Sequence, residues 1–177
     1  MLKRLSHFLR ARDGLAAVEF AFIAPVMIVL FFGALEFSMA VDCHTRVNNV
    51  AATTADLVAQ STTVSSTDVS NIFSAANSIL YPYASANAQI VVSSLVDNGK
   101  GGATVAWSNA QNTAPLTVGA TVSVPAGLIV SGSGGSVILA KISYSYVSPS
   151  LVVLTGPLTM SGSFYSKPRR SMTVTHS

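Results

Sequence analysis

The fold of this chain is decided by residues 15–35, which read LAAVEFAFIAPVMIVLFFGAL and contain one charged side chain, Glu19. A membrane helix needs about 20 mostly apolar residues, or about 30 Å at 1.5 Å per residue. A cleaved secretory signal has a shorter apolar core of about 7–15 residues, followed by small residues at the cleavage site. Here the small residues Gly14, Ala16 and Ala17 stand at the start of the run rather than after it. We therefore predict an N-terminal membrane anchor.

The charges on the two sides of this run differ in sign. Residues 1–13 read MLKRLSHFLRARD and hold four basic side chains, whereas Glu36, Asp42 and Asp56 follow the run with Arg46 as the nearby cation. Because basic flanks stay in the cytoplasm, the C-terminal region is predicted to lie outside it. Only 10% of the residues are charged, against about 25% in an ordinary soluble domain, which agrees with membrane attachment.

Two segments around the start of the run follow a known pattern. Residues 10–14 read RARDG and residues 15–20 read LAAVEF, which resembles the leader and first mature residues of type IV prepilins. Residues 14–25 and 33–37, GLAAVEFAFIAP and GALEF, resemble the TadE-like pseudopilins, or minor pilins, of the tight-adherence (Flp) pilus system. The size of the C-terminal region favours a minor pilin or pseudopilin over the much shorter major pilin.

The resemblance implies a role for particular residues. Prepilin peptidase would cut between Gly14 and Leu15, and Glu19 would be the acid of the family, with Phe20 and Pro25 completing the helix motif. It implies these partners: prepilin peptidase, other pilins and pseudopilins, an inner-membrane assembly platform and the lipid bilayer. It also implies a single-pass protein of the bacterial inner membrane that contributes to assembly or initiation of an adhesive pilus.

The residues themselves give Glu19 a physical role. A charged side chain is costly in hydrocarbon, but in a staggered stack of helices its carboxylate can pair with the amine that cleavage frees on a neighbour. A buried polar group that fixes register is a well-attested use of such groups. The alternative is that Glu19 reaches the headgroups and is incidental, in which case the chain is an uncleaved, membrane-anchored binding domain.

The rest of the chain is predicted to be an α+β domain. The helical pattern continues to about residue 60, and a second short helix ends before Pro82 after a capping box at Ser65 and Asp68. Strands are predicted at these segments: 89–96, 103–107, 116–124, 137–147 and 158–165. In the fourth of them, apolar and aromatic residues alternate on one face: Ile138, Ala140, Ile142, Tyr144 and Tyr146. The expected domains are a leader at 1–14, a spine helix at 15–60 and a periplasmic α+β domain at 61–177 with a pilin-like antiparallel sheet.

Chemistry-bearing residues are sparse in this sequence. The one cysteine, Cys43, is predicted to be either a small packed residue or an intersubunit contact through a disulfide. The histidines are scattered, and the glycine-rich segment 131–136 lacks the lysine of a phosphate loop. We expect no enzymatic activity, no cofactor and no metal. The basic segment 167–170 is expected to be a solvated tail and not a nucleic-acid site.

Overall fold

The computed structural model describes residues 13–100, 102–129, 132 and 134–177. This part of the chain begins with helix α1 (Asp13–Ala59), followed by a short strand β1 (Thr63–Val64) and helix α2 (Ser66–Leu80). A single 3-10 turn then precedes the remaining strands: β2 (Ala88–Asp97), β3 (Ala103–Gln111), β4 (Thr121–Val122), β5 (Ser136–Tyr146), β6 (Leu158–Ser166) and β7 (Thr175–His176). The long helix, short helix and sheet confirm the predicted α+β fold.

Five strands form one antiparallel sheet in the order β4-β3-β2-β5-β6. The central pair aligns Ile90 with Ile142, and the edge pair aligns Tyr144 with Met160. The sequence did not predict this order, nor the separate parallel pair formed by β1 and β7.

The predicted start of α2 is confirmed in detail. The Asp68 amide donates to Ser65 Oγ over 3.2 Å, and the Ser65 amide donates to the Asp68 carboxylate over 2.9 Å. This reciprocal pair satisfies two amides that the helix leaves without partners.

The described chain divides into two compact units. The first contains α1 as far as Met39 together with Val147–Gly156, the segment that joins β5 to β6. The second contains Ala40–Tyr146 and Pro157–Ser177. The joining segment thus leaves the sheet unit and belongs to the same unit as the apolar part of α1.

The second unit is built on a buried stripe of α1 and one face of the sheet. The stripe recurs every three or four residues and comprises Cys43, Val47, Val50, Ala51, Ala55 and Val58. On β5 the predicted inward face is confirmed, since Ile138, Ala140, Ile142, Tyr144 and Tyr146 are all buried. Helix and sheet approach closely at Gly162, where an added Cβ would lie 3.4 Å from the Cα of Asn48.

The opposite face of the sheet carries a smaller core. Its buried members are Leu95, Ala103, Val105, Val137 and Leu139, and partly buried side chains from segment 116–129 pack on them. The predicted strand at 116–124 is wrong except for Thr121–Val122. The backbone turns at Gly119, where φ is +82°, and the Leu116 amide donates to Ser108 Oγ. The apolar pattern there serves to cover the sheet.

Candidate functional site: the exposed helix and the Glu36 clamp

The apolar part of α1 is exposed along its length. An 18-residue window has a mean hydropathy of 2.5 with none of its residues buried, so the helix is long and apolar enough to cross a membrane. Phe20 and Phe22 are 71% and 78% exposed. Soluble monomers rarely present so large an apolar surface, so this surface has to be covered by lipid or by protein.

The predicted cleavage site lies at the start of the described helix. Gly14 and Leu15 are both exposed, and no atom lies within 4 Å of a Cβ added to Gly14. Apart from Asp13 and Gly14, the predicted leader lies outside the described residues, including all four of its basic side chains.

Glu19 projects from this surface without a partner in the described part of the chain. It is exposed, and no hydrogen bond or ion pair joins it to another described residue. Pro25 is also exposed and lies inside α1 without ending it. The three residues of the predicted helix motif, Glu19, Phe20 and Pro25, are therefore all exposed on α1.

A second glutamate, Glu36, has the opposite environment. It directly follows the apolar run and is 1% exposed. Its Oε1 accepts hydrogen bonds from the Ser150 hydroxyl and from the Val152 amide at 2.7 Å. Its Oε2 accepts from the Val153 and Leu154 amides at 3.1 and 2.7 Å. We call Glu36 with these four donors the Glu36 clamp.

The clamp fits the ionised carboxylate. An ionised glutamate offers only acceptors, whereas a protonated one carries a hydroxyl that would point at one of the four donors. Consecutive backbone amides that converge on one point form an anion-binding concavity. The segment Val147–Gly156 thus supplies an anion site, and the occupant of that site is the chain's own Glu36.

Gly33 makes room for the clamp. It lies one helical turn before Glu36, and an added Cβ would stand 3.3 Å from Cγ2 of Val153. The sequence contained both Gly33 and Glu36 as parts of a recognisable pattern, but it gave no sign of their partner. The sequence signal that singles out Glu36 is its charge directly at the end of an apolar run. The residues that bind Glu36 lie more than 110 residues later in the chain.

Cys43 is buried in the second unit with 0% exposure, and burial raises the pKa of its thiol to about 11. This environment favours the small packed residue over the intersubunit disulfide, because a second subunit would reach the sulfur only after the core opened. The disulfide stays an untested prediction.

The basic C-terminal segment is held on α1 within the second unit. The guanidinium of Arg169 donates to the carboxylate of Asp56, and the Arg169 amide donates to the Ala59 carbonyl over 2.9 Å. The side chain of Arg169 is nevertheless 62% exposed, which agrees with the expected solvated segment. In the described ranges, no group of three His, Cys, Asp or Glu residues is arranged to hold a metal ion.

Comparison with known proteins gives one match. A family model described as TadE-like protein matches residues 14–56, about a quarter of the chain, and this stretch contains Gly14, Glu19, Pro25 and Glu36. No curated protein and no solved structure matches. Residues 14–56 are therefore similar to the TadE-like proteins.

Proposed function

We propose that the chain is a pseudopilin, or minor pilin, which contributes to assembly or initiation of an adhesive tight-adherence pilus after prepilin peptidase cuts between Gly14 and Leu15. The observation that carries the proposal is the contrast between the two glutamates of the TadE-like segment. Glu36 is fully occupied by four donors of its own chain, whereas Glu19 is exposed and unpaired among the described residues.

An unpaired carboxylate in an apolar helix is costly unless a partner arrives. Insertion scales assign about 2.5–3.5 kcal/mol to a charge at the centre of a membrane helix. Glu19 lies four residues into the run, so it is shallow in the membrane before assembly. Cleavage after Gly14 creates an α-amine on each subunit, and a stagger of one subunit brings that amine to the Glu19 of a neighbour. The ion pair then sets the register of the stack.

The same helix gives the proposed location. Residues 15–35 span the bacterial inner membrane once, with segment 1–12 and its four basic side chains in the cytoplasm and the second unit in the periplasm. Assembly partners are other pilins and pseudopilins that present similar helices, and an inner-membrane assembly platform. The chain acts as a structural subunit and not as an enzyme, and no nucleic acid is among its partners.

The first test is the N-terminal sequence of the protein recovered from its native envelope, with and without the host's prepilin peptidase. We expect a new terminus at Leu15 that depends on the peptidase. Gly14→Ala should block the cut without disturbing the helix, since no atom lies within 4 Å of the added Cβ. Gly156→Ala is the matched control, because its surroundings are equally open. An intact N-terminus in the wild type leaves the uncleaved anchored binding domain as the better account.

The second test separates a pilin from a mere anchor. Glu19→Leu removes a charge from an exposed apolar helix, so it should leave membrane insertion intact or improve it while reducing pilus assembly. Glu19→Gln keeps the size and hydrogen-bonding capacity but removes the charge, and it should also impair assembly. Normal piliation with Glu19→Leu would show that Glu19 does not set register.

A further inference from the structure

The segment Val147–Gly156 is unusual for a connection between two strands. It reads VSPSLVVLTG and carries no charged side chain. Leu151, Val152 and Val153 are consecutive and are 48%, 44% and 51% exposed. Single exposed apolar side chains are normal, whereas contiguous apolar patches mark contact with protein or membrane, so these three adjacent side chains call for an apolar environment.

The clamp fixes the position of this segment along α1. Val152, Val153 and Leu154 donate to Glu36, and the side chain of Val153 lies against Gly33. From Leu15 to Glu36 a helix rises about 32 Å, close to the 30 Å thickness of a hydrocarbon core. The segment therefore lies at the level where an anchored α1 leaves the hydrocarbon.

Exposed apolar side chains of the helix lie at the same level along α1 as the segment. Phe31 and Phe37, which flank this level on α1, are 61% and 71% exposed. Leu151, Val152 and Val153 belong to the same unit, so exposed apolar side chains of both the helix and the segment are present in it. A surface that continues an apolar membrane helix without a charged side chain is matched to lipid.

Three backbone amides of the segment already have hydrogen-bond partners, as an apolar environment requires. Irregular backbone is excluded from lipid because unpaired amides cost several kcal/mol each. Here three consecutive amides and the Ser150 hydroxyl are already paired with the carboxylate of Glu36. The turn also holds Leu151 at a φ of +53°, a conformation uncommon for a bulky residue. Strain of this kind persists where the surroundings over-determine it.

We propose that Val147–Gly156 is a membrane-contact loop, which inserts Leu151, Val152 and Val153 into the headgroup and upper acyl region of the leaflet at the Glu36 end of α1. The Glu36 clamp pairs the amides of Val152, Val153 and Leu154, which lowers the cost of placing this part of the loop against lipid. The loop sets the depth of the helix end and holds it at the interface. The proposal rests on the anchoring of α1 in a membrane, which is one part of the proposed function.

The test measures the depth of single labels on the full chain in phosphatidylcholine–phosphatidylglycerol vesicles. Cys43→Ala removes the native thiol, and Leu151→Cys or, separately, Val152→Cys receives an environment-sensitive fluorophore. Nitroxide lipids quench from either the headgroup end or the methyl end of the acyl chain, and iodide quenches from water. We expect the emission maximum of both loop labels to be blue-shifted relative to that of the label in water. The nitroxide at the headgroup end should quench most of their fluorescence, and iodide should quench little of it.

Two further labels serve as controls. Val26→Cys lies in the middle of the apolar run and reports whether α1 is in the bilayer at all. Val118 is an exposed apolar residue on a connection of the second unit, and a label at Val118→Cys should respond to iodide.

Each other outcome overturns the proposal in an identifiable way. If the Val26 label is quenched by lipid while the loop labels respond to iodide, the anchor stands and the membrane-contact loop is wrong. If the loop labels resist both quenchers, another protein copy covers them and lipid does not. If the Val26 label itself responds to iodide, α1 is not anchored, and the loop proposal is overturned together with that part of the proposed function. Lipid quenching of the Val118 label to the same extent would show that the contact is not specific to the loop.

Discussion

The close approach of α1 and β6 at Gly162 gives a prediction whose size can be worked from distances. An added Cβ at Gly162 would lie 2.9 Å from Oδ1 of Asn48, 3.4 Å from Cα of Asn48 and 3.4 Å from Cγ2 of Ile142. The first contact is with the end of a side chain that can rotate away. The second contact is with the helix backbone, which cannot.

Alanine and valine at Gly162 should therefore differ. With alanine, Asn48 has to give up its 3.1 Å contact with Nε2 of His44, which costs about 0.5–1.5 kcal/mol. A gain of about 0.4–1 kcal/mol from the stiffer unfolded chain opposes this cost. Valine adds two methyl groups toward the helix backbone, and overpacking of this kind costs about 1–3 kcal/mol.

The assay is denaturant unfolding of the full chain in detergent micelles, followed by fluorescence. Trp107 is the chain's one tryptophan and is buried in the second unit, where its Nε1 donates to the Val174 carbonyl over 2.8 Å. It therefore reports the unfolding of the unit that contains Gly162. Gly162→Val should lower the unfolding midpoint without changing the slope, and Gly162→Ala should stay within about 1 kcal/mol of the wild type.

A background change sharpens the comparison. Asn48→Ala removes the flexible contact but keeps the helix backbone in place, so Gly162→Ala should become neutral or stabilising there while Gly162→Val still destabilises. Gly156→Val is the control, with no atom within 4 Å of its Cβ, and should change stability by less than about 0.5 kcal/mol. Equal stability of Gly162→Val and this control would refute the reasoning and the close helix–sheet packing behind it.

Three other outcomes are expected. Glu36→Gln replaces one acceptor oxygen by an NH₂ group that faces the amide donors, so hydrogen exchange at residues 152–154 should become faster. Glu19→Gln should leave this exchange unchanged, and unchanged exchange in Glu36→Gln would contradict the clamp. Cys43, buried and with its pKa raised to about 11, should resist a maleimide at pH 8 in the folded protein and react fully in denaturant, and rapid labelling of the folded protein would contradict its burial. Ser65→Ala should destabilise the second unit by about 1 kcal/mol through loss of the capping box at α2, measured by the same Trp107 fluorescence, and an unshifted midpoint would show that the cap contributes nothing.

The elements that the sequence predicted well are those whose signals are local. The extent of α1 followed from its apolar run and the continuing helical period, and the start of α2 followed from Ser65 and Asp68. The inward face of β5 followed from simple alternation. The match of residues 14–56 to the TadE-like family also rests on a contiguous stretch.

The elements that escaped prediction depend on distant partners. The segment 116–124 carries a strand-like apolar pattern, but its side chains cover the outer face of the sheet, and Gly119 turns its backbone. The role of Glu36 depends on a loop that begins more than 100 residues later. Neither the strand order nor the clamp leaves a trace in the spacing of neighbouring residues.

The sequence separation within the Glu36 clamp has a consequence for biogenesis. Glu36 directly follows the apolar run, whereas its four donors lie between Ser150 and Leu154 and are synthesised more than 110 residues later. Until that late segment has been synthesised and has folded back, the helix end carries a bare carboxylate. Closure of the clamp therefore distinguishes a chain that has folded through Leu154 from a nascent or truncated chain that lacks this segment, and it does so at the end of the apolar run.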